Sequence, residues 1–410
     1  MIATFESSSP RADALRVATV AAVGIALFSA SWVAIHGGFY DDAAIVDTPV
    51  YRGYAEAIAA GEVPYRDFEL EYPPGALPVF VLPLLGDDAD YDLVFELLML
   101  ACGAAAVVFV AVTLGALGVP DRVLSGRAAA TALGPLLIGP VVLTRFDLWP
   151  TALTVAALAA LVAGRERLGL GVLGAAVAAK LYPLVLLPVA ILFVARRRGV
   201  RTAAASFGVF VLVLAAAFGP FLVVAPDGVA ESLERQAERP LQIESLGASM
   251  LLAADRLGVY SASVATSSGS QNLIGALPDT LASVQTVLSA LAVASVWIVF
   301  ARTRRGPAEL LTASASAVAA FVAFGKVLSP QFLIWLVPLI PLVLERARVA
   351  AALFGAAGIT TLLWFPYRYW EVVAIERPVW AVLVRDVLLV ALFAALLTAT
   401  RGRREAPRTP

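Results

Sequence analysis

The chain has 410 residues, 60% of them hydrophobic and 15% charged, with a mean hydropathy of +0.86. That composition excludes a soluble globular domain and identifies an all-α, polytopic membrane protein. The formal net charge of −1 says little as a total, because the division of charge between the two sides carries the information. One cysteine excludes a disulfide framework, and with a single histidine it argues against a zinc or haem site.

Arg11 and Arg16 precede an apolar run from Val17 to Ile35. Small residues at Ser29, Ala30 and Ser31 resemble a signal-peptide cleavage region, but the run is long enough to cross a bilayer and many further runs follow. It is read as an uncleaved first span with its N-terminal end in the cytoplasm. The segment from His36 to Asp92 then lies outside. It carries twelve Asp or Glu against two Arg, Arg52 and Arg66. Within it, Asp47-Thr48-Pro49 reads as a helix start, and Val50, Tyr54, Ala57 and Ile58 recur at helical spacing, predicting an amphipathic surface helix that ends near Gly61. The apolar stretch from Gly75 to Leu85 is too short to span and is expected to be re-entrant or interfacial.

Spans are predicted at about 93–117, 128–143 and 148–163, with Arg122, Arg127, Arg165 and Arg167 at cytoplasmic ends and Arg145 and Asp147 in an outer turn. The stretch from Leu168 to Val194 suits one tilted helix or two half-length ones. Two helices broken at Lys180-Leu181-Tyr182-Pro183 keep every basic cluster inside, including Arg196, Arg197, Arg198 and Arg201, and Pro183 is a suitable breaking residue. A span at about 203–224 leads to a second outer loop, 226–280, with a predicted amphipathic helix at Val229, Leu233 and Ala237 and a Ser/Gly-rich piece. Further spans are predicted at about 281–301, 309–324, 332–344, 349–364 and 379–400. The expectation is about 12 transmembrane helices in a single domain, residues 1–400. Both termini would be cytoplasmic, with a basic tail at 401–410 that can touch anionic lipid.

Ionisable groups at membrane depth are costly and so are candidates for function. The outer side offers carboxylates in the first loop (Asp41, Asp42, Asp47, Asp67, Glu69, Glu71) and isolated cations at span ends (Arg145, Lys180, Lys326, Arg368, Arg377). A carboxylate can act as a general base and scattered cations can bind a phosphate. Together they suit transfer of a group from a lipid phosphate, with no metal or other cofactor required. Plainer roles stand beside these: Asp47 as a helix cap, Lys180 as a snorkelling side chain, His36 as an interfacial residue, and Trp364, Phe365, Tyr367, Tyr369 and Trp370 as an interface belt. Arg385 and Asp386, adjacent in the last span, are expected to be paired elsewhere or set near the outer interface, since neighbours in sequence do not face each other on a helix.

The first loop, with Asp47, Val50-Tyr51-Arg52, Gly61, Pro64-Tyr65-Arg66-Asp67 and Glu71-Tyr72-Pro73-Pro74, resembles that of family 87 glycosyltransferases in the GT-C superfamily. Ala179-Lys180-Leu181-Tyr182-Pro183 and Lys326-Val327-Leu328-Ser329-Pro330-Gln331-Phe332 fit the same resemblance. It implies a GT-C-like fold and an inverting transfer on the external face of the plasma membrane. A hexose, most of all mannose, would pass from a polyprenyl-phosphate donor to a glycolipid or glycan acceptor. The partners would be those two substrates and membrane lipid, with no nucleic acid. Asp47 matches the family's first-loop aspartate and is the expected base, with Asp41 and Asp42 close enough to leave the assignment open. Tyr51, Arg52, Glu71, Arg145, Lys180, Tyr182, Lys326, Gln331 and Arg368 complete the expected substrate-binding set. A lipid or sugar transporter is the alternative reading, although the sequence shows no clear internal repeat.

Overall fold

The structure is a computed structural model that describes residues 10–37, 45–85, 91–303, 306–344 and 346–401. Six helices among these are long and apolar enough to cross a membrane: Arg11–His36, Tyr91–Ala116, Val200–Val224, Ala276–Arg302, Pro307–Phe324 and Val379–Thr400. Shorter apolar helices, at Pro74–Leu85, Leu148–Val162, Pro330–Leu342 and Ala347–Leu362, fill the space between them. All six long helices fall on predicted spans.

Pro307–Phe324 is buried along nearly its whole length. Its sequence, PAELLTASASAVAAFVAF, explains how: Ala and Ser on every face let neighbouring backbones come close, which is how helices pack where lipid supplies no hydrophobic drive. Ala276–Arg302 and Val379–Thr400 pack against it.

Two predicted spans are interrupted. The 128–143 stretch divides into Asp121–Ala132, Gly134–Ile138 and Val141–Thr144. Pro135 and Pro140 each remove a donor, and Gly139 takes a positive φ of 76° that an L side chain rarely adopts. The 332–344 stretch is a 3₁₀ helix, Pro330–Leu336, and a single α turn, Leu339–Leu342, with Pro338 and Pro341 breaking the ladder.

The break at Lys180 is as predicted. Glu166–Ala179 ends on an extended Lys180, a 3₁₀ turn follows at Tyr182–Leu186, and Leu187–Arg198 completes the pair. Arg198 at the end of the second helix meets Glu166 at the start of the first at 2.7 Å. The chain therefore goes out and returns as a hairpin. Arg196 donates to the Ala301 carbonyl at 3.1 Å, so several basic residues gather at the end of the bundle opposite Lys180.

The first loop forms the expected helix, Thr48–Ala59, with Pro49 in its first turn and Gly61 beyond its end at φ 92°. The second loop holds the predicted helix, Pro226–Glu238. It also holds three short strands, β1 (Leu241–Gln242), β2 (Val264–Ser267) and β3 (Ser270–Leu273), which form a small antiparallel sheet in the order β1-β3-β2 that the amphipathic reading did not anticipate. The two loops are bolted together. Ser232 donates to the Leu70 carbonyl at 2.8 Å, Arg239 meets Glu71 at 3.3 Å and Arg235 meets Glu69 at 3.0 Å.

Candidate active site

Three polypeptide breaks converge to make the site. They are the entrance to the first-loop helix at Asp47, the turn Arg145-Phe146-Asp147 before helix Leu148–Val162, and the hairpin tip at Lys180. Asp47 occupies the N-cap position, yet its side chain caps nothing; it is turned toward Arg145, whose Nη1 pairs with Asp47 Oδ1. The Tyr51 hydroxyl lies 3.4 Å from the other carboxylate oxygen. Tyr51 itself is buried, stacked at 4.5 Å on Phe80 and edge-on to Phe146. It belongs to an aromatic floor with Tyr72 and Phe95; burial pushes its hydroxyl well above the usual tyrosine range, so it stays a neutral donor.

Two residues beyond Arg145, Asp147 is almost fully buried and receives two donors on one oxygen: Lys180 Nζ at 2.7 Å and Trp335 Nε1 at 2.6 Å. Lys180 sits in an aromatic box, 4.7 Å from the Phe146 ring centre, 5.4 Å from Trp335 and 5.7 Å from Phe332. Such faces stabilise a desolvated ammonium. Tyr182 stacks flat on Trp335 at 4.0 Å and shares its hydroxyl with Thr151 and Thr154. Its place is thus in the wall that holds Trp335.

Arg145 is buried to 5% exposure, and burial lowers its guanidinium to about 10, while Asp147 and Glu244 act in the opposite sense. Among the described residues its Nε and Nη1 have no hydrogen-bond partner, so Nη1 meets Asp47 as an ion pair alone. Glu244 opens a second buried cluster. Its Oε2 accepts from Gln242 Nε2 at 2.6 Å and from Ser329 at 3.3 Å, and its backbone carbonyl accepts from Arg385 at 2.6 Å. Arg385 pairs with Asp386 at 2.7 Å, and Asp386 accepts from Ser249 at 2.6 Å. The adjacent pair therefore does close on itself, contrary to the helical-spacing expectation, while each member also holds a partner from the second loop. Gln242 ties the cluster to the Lys326–Ser329 segment: its Oε1 accepts from Leu328 N at 3.0 Å and its own N–H donates to the Lys326 carbonyl at 3.0 Å.

Other predicted residues stand apart from this centre. Arg52 is on the outer face of its helix, paired with Glu56. Glu71 is held by Arg239 and Gln236 and lines a narrow cleft with Tyr65, Leu181 and Phe218. Lys326 donates to the Ala237 carbonyl at 2.7 Å. Gln331 is half-buried on the 3₁₀ helix, and Arg368 is exposed and paired with Glu371. Asp41 and Asp42 lie outside the described residues. Among those described, no group of three or more His, Cys, Asp or Glu is placed to hold a metal ion. Asp147, Trp335, Gln242 and Glu244 were not singled out from sequence; for Asp147 the signal was its position two residues from Arg145 in an otherwise apolar turn.

The family model for Glycosyltransferase family 87 matches residues 70–330, well over half of the chain. The chain belongs to glycosyltransferase family 87. The matched region of this family 87 chain contains Arg145, Asp147, Lys180, Gln242, Glu244 and Ser329; Asp47, Arg385 and Asp386 lie beyond it. No curated protein matches the chain. Among solved structures, ArnT from Cupriavidus metallidurans, in a crystal structure bound to undecaprenyl phosphate, is similar. Its identity is 15% and its TM-score 0.48, over 94% of this chain and 77% of that one.

Proposed function

We propose that this membrane glycosyltransferase moves a hexose, mannose by preference, from a polyprenyl-phosphate donor to a hydroxyl of a glycolipid or glycan acceptor, with inversion, on the external face of the plasma membrane. The observation that carries the reading is the meeting of Asp47 with Arg145 beside the Lys180–Asp147 pair. One carboxylate with a partly exposed side chain stands next to a buried arginine and a half-buried lysine.

In this scheme the acceptor oxygen attacks the anomeric carbon from the face opposite the phosphate. The bond from that carbon to the phosphate oxygen breaks with its electron pair going to the phosphate, and the acceptor proton passes to Asp47. Phosphate is already a good leaving group, so no general acid is needed. Arg145 and Lys180 stabilise the charge that builds on it. The placement of basic residues at the opposite end of the bundle favours an external site, by the bias of Lys and Arg toward the cytoplasm.

Purified protein in lipid nanodiscs, given radiolabelled polyprenyl-phosphate-mannose and a membrane-lipid extract, should release polyprenyl phosphate and label a new glycolipid. Asp47→Asn should lower that turnover by about 10²-fold or more at unchanged folded yield. Full activity in the variant would sink the assignment of the base. Movement of intact donor across a vesicle bilayer without product would favour a transporter instead.

A further inference from the structure

We propose that Arg145 serves two anions in turn: it holds Asp47 while the site is empty, and the donor phosphate takes Asp47's place, so that the base is set free only once donor is bound. This rests on the reading above and adds an order of events to it.

The centre has two cations, and each already has a carboxylate partner: Arg145 with Asp47 and Lys180 with Asp147. An arriving phosphate therefore finds no cation of this centre without an ion-pair partner. Adding an anion to a buried, already balanced set would be strongly unfavourable. One carboxylate has to give way.

The two carboxylates differ in how firmly they are held. Asp147 is 1% exposed, with Lys180 and Trp335 donating to the same oxygen at 2.7 and 2.6 Å. Lys180 is further fixed by three aromatic faces. Asp47 has 29% of its side chain exposed, makes no capping bond to its helix, and among the described residues its carboxylate has, besides Arg145, a long 3.4 Å contact from Tyr51. Asp47 is thus the partner that can leave at least cost. Arg145, in contrast, stays where it is: its side chain is only 6% exposed, and Glu244 and Asp147 both draw on its charge. Its Nε is a buried donor with no hydrogen-bond partner among the described residues, and a second phosphate oxygen could use it, as the fork of a guanidinium favours.

The exchange also balances. A polyprenyl-phosphate-sugar is a phosphodiester with one negative charge, so one monoanion replaces another on Arg145. Bond breaking then turns the diester into a monoester that gains a negative charge, while Asp47 takes up the acceptor proton and loses its negative charge. The product phosphate is held by Arg145 at the moment when Asp47 is neutral and cannot compete. Asp47 returns to Arg145 after losing its proton and after polyprenyl phosphate leaves. A base tied to Arg145 until donor arrives cannot activate water or acceptor in an empty site.

Two measurements test this. Binding of polyprenyl phosphate to the nanodisc-embedded protein should tighten by about threefold to tenfold in Asp47→Asn and in Asp47→Ala, because a competing anion has been removed. Asp67→Asn deletes the same charge from an exposed carboxylate paired with Arg66, and it should bind as the native chain does. In steady-state kinetics of the native enzyme, a dead-end acceptor analogue should inhibit uncompetitively against the donor, as donor-first binding requires. Unchanged or weaker binding in both Asp47 variants, or equal tightening in Asp67→Asn, would overturn the exchange while leaving the phosphate site intact. Failure of the native chain to bind polyprenyl phosphate at all would overturn the site reading itself, and the exchange with it.

Discussion

Asp147 and Lys180 are joined at 2.7 Å across 33 positions of sequence, and the acid side of the pair is buried to 1% exposure. The pair pins the hairpin tip to the turn that carries Arg145. Removing one member of a buried ion pair leaves the other uncompensated, which costs about 3–5 kcal/mol. Asp147→Ala should therefore lower the thermal unfolding midpoint of the purified protein sharply. Asp147→Asn, which keeps an acceptor for Trp335, should lose less. A midpoint within a degree of the native value in both variants would show that the pair contributes no stability.

Glu244 sets a pH dependence. Burial pushes its carboxyl from the ordinary 4.5 to about 7, with Arg385, Ser329 and Arg145 pulling it down and Asp386 adding to the rise. A carboxyl raised in the folded state binds its proton more tightly there than in the unfolded chain. Its contribution to stability is complete below about 4.5 and is lost as pH rises through 7. The unfolding midpoint of the native protein should carry a falling component over that window. Glu244→Gln, which stays neutral, should flatten it and unfold at a higher temperature than the native chain at pH 8. An identical slope in the variant would rule out Glu244 as its source.

Gly75 supports the hairpin tip from below. A Cβ there would lie 2.5 Å from the Ala178 carbonyl carbon and 2.7 Å from Ala179 N, backbone atoms just before Lys180 that have no rotamer to give way. The Gly75 carbonyl also accepts from Trp149 Nε1 at 3.0 Å. Gly75→Ala should force the two segments apart, with a stability loss of about 1–3 kcal/mol, and should lower turnover by displacing Lys180. Hydrogen exchange at the Lys180 amide, which bonds to the Ala176 carbonyl, should speed up. Unaltered protection there would mean the contact relaxes without moving the tip.

Much of this was legible in the chain itself. Asp47, Arg145 and Lys180 were marked because charged groups in apolar surroundings are expensive and therefore few. The break at Lys180 was marked because Pro183 cannot continue a helix and because a single span would have scattered the arginines over both sides. The helix after Asp47 followed from its proline and its spacing. The resemblance agrees with the family match over residues 70–330, which covers Glu71, Lys180 and Lys326 but not Asp47.

What the sequence by itself determined was a helical membrane protein with an acidic first loop, a charge-directed break at Lys180 and a short set of candidate ions. Only the tertiary structure decided how those ions pair. Trp335 reaches Asp147 across 188 positions, and Arg385 reaches the Glu244 carbonyl across 141; no local periodicity encodes such distances. Tyr51 and Tyr182, expected to bind substrate, lie buried in the walls of the site, and burial depends on what packs over them. Arg52, one residue from Tyr51, turned outward because a helix sends neighbours to different faces. Asp47 looked as much a cap as a base from its place before Thr48 and Pro49, and it was the arrival of Arg145 from a distant turn that drew its carboxylate away from the helix.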